Sequence, residues 1–457
     1  MRARALGTLV LFVVLLTPIL SVQAAGAAQT AGDGATIDFP NTVTFAVTLQ
    51  GSATINSVTL EYGTKQSTCG TVIGKAFPEF SPGGSVRAEW TWDMRQSGSL
   101  PPGATIWWRW RYSDGTGKEI VSEEKTITWL DKVHNWQTLS SGMLRLHWYG
   151  IDEAFAQDML NAGVGGLGFN ETQSGLKTDA PIDVYVYPNY DDMRAAILYE
   201  PSWTGGLAFP EHNIVLMGLS GGNTEWDQST VVHELTHVLV GHLTFSCLGF
   251  VPTWLNEGLA VFSEGQLDPV SSAQLEDAIK SDTLLSVESL STGFSEVADK
   301  ANLSYSESYS IVKFLIGTYG QAKMTALLAA LRNGRSVEEA LLQVYGFDIG
   351  GLEDQWRGAI GAPARHASGQ PTAQPTPTFV PTIVPISGAQ ASVPATPFVV
   401  PTSSFGEGTP AAPSGPPRTL TITLLIFCCV FGLLIGVIVL GVILRVSSRK
   451  GGQNGQA

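Results

Sequence analysis

From Ile37 to Asp131 apolar and polar residues alternate with a period of two. Val43, Phe45, Val47 and Leu49 are separated by Thr44, Ala46 and Thr48, so a strand here has one buried and one wet face. Val58, Leu60 and Tyr62 repeat the pattern, and Thr105–Tyr112 with Glu119–Trp129 reads as a hairpin around Asp114-Gly115. Short strands parted by Gly, Pro and Ser clusters over roughly a hundred residues predict an immunoglobulin-like β-sandwich across residues 33–131. Its strand Ile106–Arg111 interleaves Trp107, Trp108 and Trp110 with Arg109 and Arg111. Two readings fit: core on one side with an arginine-stacked surface on the other, or a face that binds carbohydrate or protein.

Past residue 134 the period changes and helices alternate with strands. Met143–Tyr149 and Ile182–Tyr187 read as strands, and Ile151–Ala162 as a helix that turns Phe155, Met159 and Leu160 inward. Asp191-Asp192-Met193-Arg194 opens a further helix, and residues 205–216 form a hairpin or an edge strand, with an ordinary interior strand fitting the residues at least as well. Val231, Leu235 and Val238 recur at helical spacing, and Pro252-Thr253 opens a second helix. Leu303–Tyr319 is a helix ended by Gly320, and helices 322–333 and 337–345 close this α+β domain, residues 134–360.

The chain ends change the picture from a soluble protein to an exported one. Arg2 and Arg4, the apolar run Leu6–Leu20 and the small residues after it predict a signal peptide over residues 1–28, with an uncleaved anchor as the alternative. Residues 362–418, rich in Pro, Thr and Ser, bury too little apolar surface to fold and are expected to be a disordered stalk. Leu420–Leu444 is an apolar run of 25 residues, followed by Arg445, Arg449 and Lys450. That is long enough for one transmembrane helix, with residues 445–457 as a cytoplasmic tail and the folded domains outside the cell membrane. Cys428 and Cys429 fall in this run as apolar fillers. Cys69 and Cys247, one in each folded domain, can bridge the two if their separation permits. A net charge of −14 argues against nucleic acid as a partner. The oligomeric state is not legible.

The chemistry concentrates in Asp227–Glu264. His233 and His237, four apart, stand one turn above the other on a helix, where two neutral imidazoles can grip one Zn2+. Glu234 adjoins them within reach of a metal-bound water, and Glu257 follows His237 after nineteen intervening residues. A carboxylate there gives a third protein ligand and leaves a fourth position open, as a catalytic zinc site requires. A structural or degenerate site is the competing reading. Tyr305 and Tyr309 stand one turn apart on Leu303–Tyr319; either is a packed aromatic or a phenol that donates to a developing oxyanion.

The pair His-Glu-Leu-Thr-His at 233–237 and Trp-Leu-Asn-Glu-Gly-Leu-Ala at 254–260 resembles the gluzincin metallopeptidases, and within them the peptidase MA-like family. The resemblance covers residues 134–360 and implies a zincin-type fold with His233, His237 and Glu257 as zinc ligands. It further implies Glu234 as base, Tyr305 as the better oxyanion donor, and residues 207–216 as an edge on which a peptide or protein substrate is held as an added strand. Three features depart from relatives. The Gly-x-Met-Glu-Asn run with which aminopeptidases recognise a free amino terminus is missing, which points to an endopeptidase. Val240 and Leu243 stand where metzincins need Gly and His, leaving His242 as a surface residue or a support rather than a ligand. Val261 stands where an acid orients a zinc-bound His, so Glu264 or a backbone carbonyl must take over. The expectation is a membrane-anchored extracellular zinc peptidase. The alternative is a cell-surface binding or adhesion protein with a non-catalytic peptidase-like domain.

Overall fold

A computed structural model describes residues 29–365 apart from Thr116, residues 199–204 and Glu296. The expected signal peptide, the apolar run 420–444 with Cys428 and Cys429, the tail 445–457, and the stalk beyond residue 365 lie outside the described residues. Among the described residues no helix is long and apolar enough to cross a membrane. They all belong to one compact unit, with an N-terminal β-rich region followed by a largely helical domain.

The β-region is built on strands β1 (Gln29–Asp38), β2 (Thr42–Thr64), β3 (Gly74–Ala76), β4 (Gly83–Asp93), β5 (Thr105–Asp114), β6 (Glu119–Val121) and β7 (Lys125–Thr128), with a single helical turn α1 (Met94–Ser97) after β4. The runs 42–49 and 58–62, expected as separate strands, are the two halves of β2. Thr42–Gln50 lies between β1 and β4, whereas Ile55–Thr64 lies beside β5 and, near its end, β3. Gly51-Ser52-Ala53-Thr54 does not end the strand, because the Thr54 carbonyl accepts the Gly115 N–H at 2.7 Å and the register shift becomes a bend. The hairpin forms where the sequence placed it, with Ser113 opposite Glu119. The Trp/Arg strand resolves into core on one side, where the buried Trp108 and Trp110 donate their indole N–H groups to Asp33 Oδ1 at 2.8 and 3.0 Å. On the other side Arg109 and Arg111 bind the buried Glu61 carboxylate at 2.7 and 3.0 Å.

The second sheet runs β11-β12-β10-β9-β8, from β8 (Gln137–Ser141), β9 (Leu144–Trp148), β10 (Ile182–Tyr187), β11 (Gly206–Phe209) and β12 (Ile214–Gly218). Its three middle strands are parallel and its two outer ones antiparallel. Around it lie α2 (Glu153–Phe169), α3 (Tyr190–Ala195), α4 (Thr224–Thr244), α5 (Thr253–Glu264), α6 (Pro269–Ser281), α7 (Ala298–Tyr319), α8 (Gln321–Arg332), α9 (Val337–Tyr345) and α10 (Ile349–Ile360). Alternation along β10 splits the two faces. Val184 and Val186 join Leu146, Val215 and Met217 in the helical core, while Tyr185 and Tyr187 join Ile214 and Leu216 in the core of the β-region. Gly103 sits so close to Tyr185 that a β-carbon would meet its ring at 2.3 Å. The β-region therefore covers one face of this sheet.

Helix α2 outruns its expected end at Ala162 and continues to Phe169. Gly163 and Gly166, which read locally as a break, let Leu144 and Val232 approach to 2.6 and 2.8 Å of where β-carbons would be. Close packing onto β9 and α4 outweighs the low helix propensity of glycine. Cys69 and Cys247 are bonded, with Cα atoms 5.5 Å apart.

The loop between α6 and α7 is held by two buried carboxyl groups. Glu307 on α7 accepts the Leu285 N–H at 3.0 Å, while Glu353 on α10 accepts the Val287 N–H at 3.1 Å and the Arg357 Nε–H at 2.9 Å. Burial pushes the Glu307 carboxyl up from 4.5 to about 8. A folded-state value above the unfolded one means the proton stabilises the fold; that contribution is complete below 4.5 and is lost as pH rises through about 8. Denaturant unfolding at a series of pH values should show stability falling by roughly 2–4 kcal/mol across that window, and Glu307→Gln should flatten the fall.

Candidate metal centre

Helix α4 begins at Asn223, whose side chain accepts the Trp226 N–H at 3.1 Å, and Asp227 accepts the Ser220 N–H at 2.8 Å. Val231, Leu235, Val238 and Leu239 are buried against the sheet and α2. That leaves His233 and His237 on another face, with ring centroids 4.8 Å apart. Helix α5 is packed by Trp254, Leu255 and Leu259, and Gly258 lets it nest on α7, where a β-carbon would lie 2.4 Å from the Ser308 carbonyl.

This nesting turns Glu257 toward the two imidazoles. Its Oε2 lies 3.5 Å from His233 Nε2 and 3.4 Å from His237 Nε2, and the three donor atoms fall within 4.8 Å of one another. Both contacts are long for a charge-assisted hydrogen bond. They match the edge of a metal tetrahedron, since two bonds of about 2.0–2.1 Å at the tetrahedral angle span roughly 3.3–3.4 Å. The donor set of two imidazole nitrogens and one carboxylate oxygen suits zinc.

The surroundings hold these donors in place. His233 Nδ1 donates to Glu264 Oε1 at 2.7 Å, which leaves Nε2 free to bind a metal; Glu264 thus takes the place of the acid missing at Val261. Behind the histidines, Asn170 Nδ2 donates to Thr236 Oγ1 at 2.9 Å, and Thr236 Oγ1 lies 2.7 Å from Ser263 Oγ. These buried groups tie the end of α2 to α4 and α5, the two helices that carry His233 and Glu264. His242 is a support and not a ligand, donating from Nε2 to the Pro210 carbonyl at 3.1 Å.

Glu234 is buried beside the ligands, against the start of β11. A β-carbon at Gly206 would come within 2.7 Å of Glu234 Oε1, so only glycine leaves room for this carboxylate. Tyr305 lies near the site, its ring 6.4 Å from that of His233 and edge-on to Phe294 at 5.1 Å. Tyr309 instead packs on Phe262 at 6.2 Å with the Lys313 ammonium over its ring. Of the expected edge 207–216, residues 206–209 form the terminal strand among the described residues, and 214–218 lie inside the sheet.

Without a metal, burial opposes charge on every group here and the mutual contacts decide the outcome. Burial pushes Glu257 up, yet the charge of His237 and the contacts with both histidines hold its pKa far below the carboxylate range. Burial pushes His233 down, but its contacts with Glu257 and Glu264 raise it well above normal; His237 is raised against burial chiefly by the Glu257 charge. Glu234 is raised, first by burial. Burial and then the charges of Glu257, Glu234 and Glu264 keep the Tyr305 phenol protonated.

Neither Gly206 nor the Asn170–Thr236–Ser263 link was singled out from the sequence. The doubled Gly205-Gly206 before an apolar run was the available signal, since glycine in a strand marks close approach to a backbone. Gly206→Ala is expected to displace Glu234 and lower turnover about 10–100-fold with metal content unchanged, as measured by kinetics alongside metal analysis.

Two imidazoles and a carboxylate around one point, with a second buried carboxylate beside them, have the form of a hydrolytic metal site. Residues 166–362 match the family model of the Peptidase MA superfamily, which supports a gluzincin-like, peptidase-like domain here. That family is typically zinc-dependent. No curated protein matches the chain. Among solved structures, the Br derivative of BhCBM56 is similar at 14% identity over 22% of this chain and 99% of its own, with a TM-score of 0.16. Spo0M, a sporulation control protein from Bacillus subtilis, is similar at 12% identity over 30% of this chain and 54% of its own, also at 0.16. At that score neither likeness bears on fold or function.

Proposed function

We propose that this chain is a zinc-dependent endopeptidase, exported and tethered to the cell membrane through residues 420–444. The observation that carries the reading is the convergence of His233, His237 and Glu257 beside the buried Glu234 in a domain that matches the family model of the peptidase MA superfamily. His233, His237 and Glu257 would hold the zinc, which when bound supplies a Lewis acid that acidifies water and polarises a carbonyl. Glu234 takes a proton from the attacking water and returns it to the leaving amine; burial raises its proton affinity, which suits a group that must do both. Tyr305 donates from its phenol to the carbonyl oxygen as negative charge develops. Gly206 keeps Glu234 against β11, and the edge of β11 receives the peptide through main-chain hydrogen bonds. The missing free-amine recognition run supports internal cleavage.

The test is incubation of the purified full-length protein with a mixed peptide pool, with and without zinc, followed by mass spectrometry of new termini. Zinc-dependent cuts distant from peptide ends support the reading. Stoichiometric zinc with no cut in any peptide would favour the surface binding protein instead.

A further inference from the structure

The loop that follows β2 leaves the β-region and crosses onto the helical domain. Two attachments hold it there. The Ser67 N–H donates to the Glu211 carbonyl at 2.9 Å, and Cys69 is bonded to Cys247 just beyond α4. Glu211 and His212 belong to the single 3-10 turn Pro210–His212 that joins β11 to β12, and Asn213 leaves it at φ 59°.

The same turn is gripped from the other side by α4. His242 holds the Pro210 carbonyl, and a β-carbon on Gly241 would lie 2.3 Å from Pro210 Cβ. Strand β11 therefore runs from Glu234, against Gly206, to a turn held between the metal helix and the β-region. Its four residues pair only with β12 among the described residues, from Gly206 opposite Met217 to Phe209 opposite Ile214. Leu207 and Phe209 pack into the β-region core. So short a strand, bonded on one side, frays unless its far end is fixed.

We propose that the loop 65–70 is a positioning clamp, through which the β-region sets the place of β11 and thereby aligns extended, unstructured polypeptide substrates with the metal centre. Ser67 and Cys69 are its positioning residues. The inference rests on the peptidase reading, with β11 as the edge that receives substrate. Substrate ordered against a prefixed strand loses less freedom on binding than one that must order the strand as well. Long peptides should feel the clamp, and peptides that span little more than the scissile bond should not.

The experiment compares the full-length protein with the Cys69→Ser/Cys247→Ser double variant. Three readouts are taken: KM and kcat for a peptide of about ten residues and for a minimal blocked dipeptide; zinc content; and hydrogen exchange of the β11 amides. The expected result is a KM for the long peptide raised about tenfold, kcat and zinc within about twofold, the dipeptide little changed, and faster exchange at residues 206–209. Ser67→Pro, which removes the N–H and keeps the disulfide, should shift the same readouts in the same direction. It decides the matter if the double variant does not fold. Equal losses on both peptides, or unchanged exchange at 206–209, would overturn the clamp. Wild-type protein that cuts neither peptide, while β11 exchange still rises in the variants, would instead sink the peptidase reading and the substrate role of the clamp with it.

Discussion

Glu234→Gln is expected to lower kcat by about 10²–10⁴-fold while zinc content and fold stay as they are. The side chains are nearly isosteric, so the space that Gly206 leaves for Glu234 still fits the amide. The amide cannot accept the proton of an attacking water at neutral pH, and water is a poor nucleophile without that transfer. His233, His237 and Glu257 are untouched, and their mutual distances depend on the packing of α4 and α5 rather than on Glu234. Because burial already disfavours the charged carboxylate, the neutral amide should leave the unfolding temperature unchanged or slightly raised. Single-turnover kinetics with zinc analysis on the same sample decides it: wild-type turnover in a zinc-loaded variant removes Glu234 from the mechanism.

Glu257→Ala should act one level lower, by emptying the site. Two imidazoles alone are a poor set for zinc, and this carboxylate is the group on which both His233 and His237 converge. Zinc affinity should fall by at least about 10³-fold, with activity lost in proportion and only partly regained at high zinc. The wild type should lose activity to a chelator and recover it with zinc. It should also release metal more readily as pH falls, because protons compete for His233 and His237, whose metal-free pKa values are raised. Retention of stoichiometric, tightly held zinc by the alanine variant would show that another group closes the site.

What could be read without coordinates was periodic or local. The two motif helices, the hairpin at Asp114-Gly115, strand Ile182–Tyr187 and the stop at Gly320 each follow from side-chain spacing or backbone preference within a few residues. The misreadings share one cause. Runs 42–49 and 58–62 read as separate strands and the helix from Ile151 as ending at Ala162, yet both readings were overruled by partners far away in the chain.

The one-dimensional order of residues was enough to establish His233, Glu234 and His237 on one helix, because a 3.6-residue period is a local property, and to nominate Glu257 through its own helix. Tertiary packing alone decided that Glu257 faces both imidazoles, that Glu264 orients His233, that Gly206 lies against Glu234, and that the β-region is bonded to the turn beyond β11. Distances between separate elements depend on how their faces interlock, and no spacing along the chain encodes that.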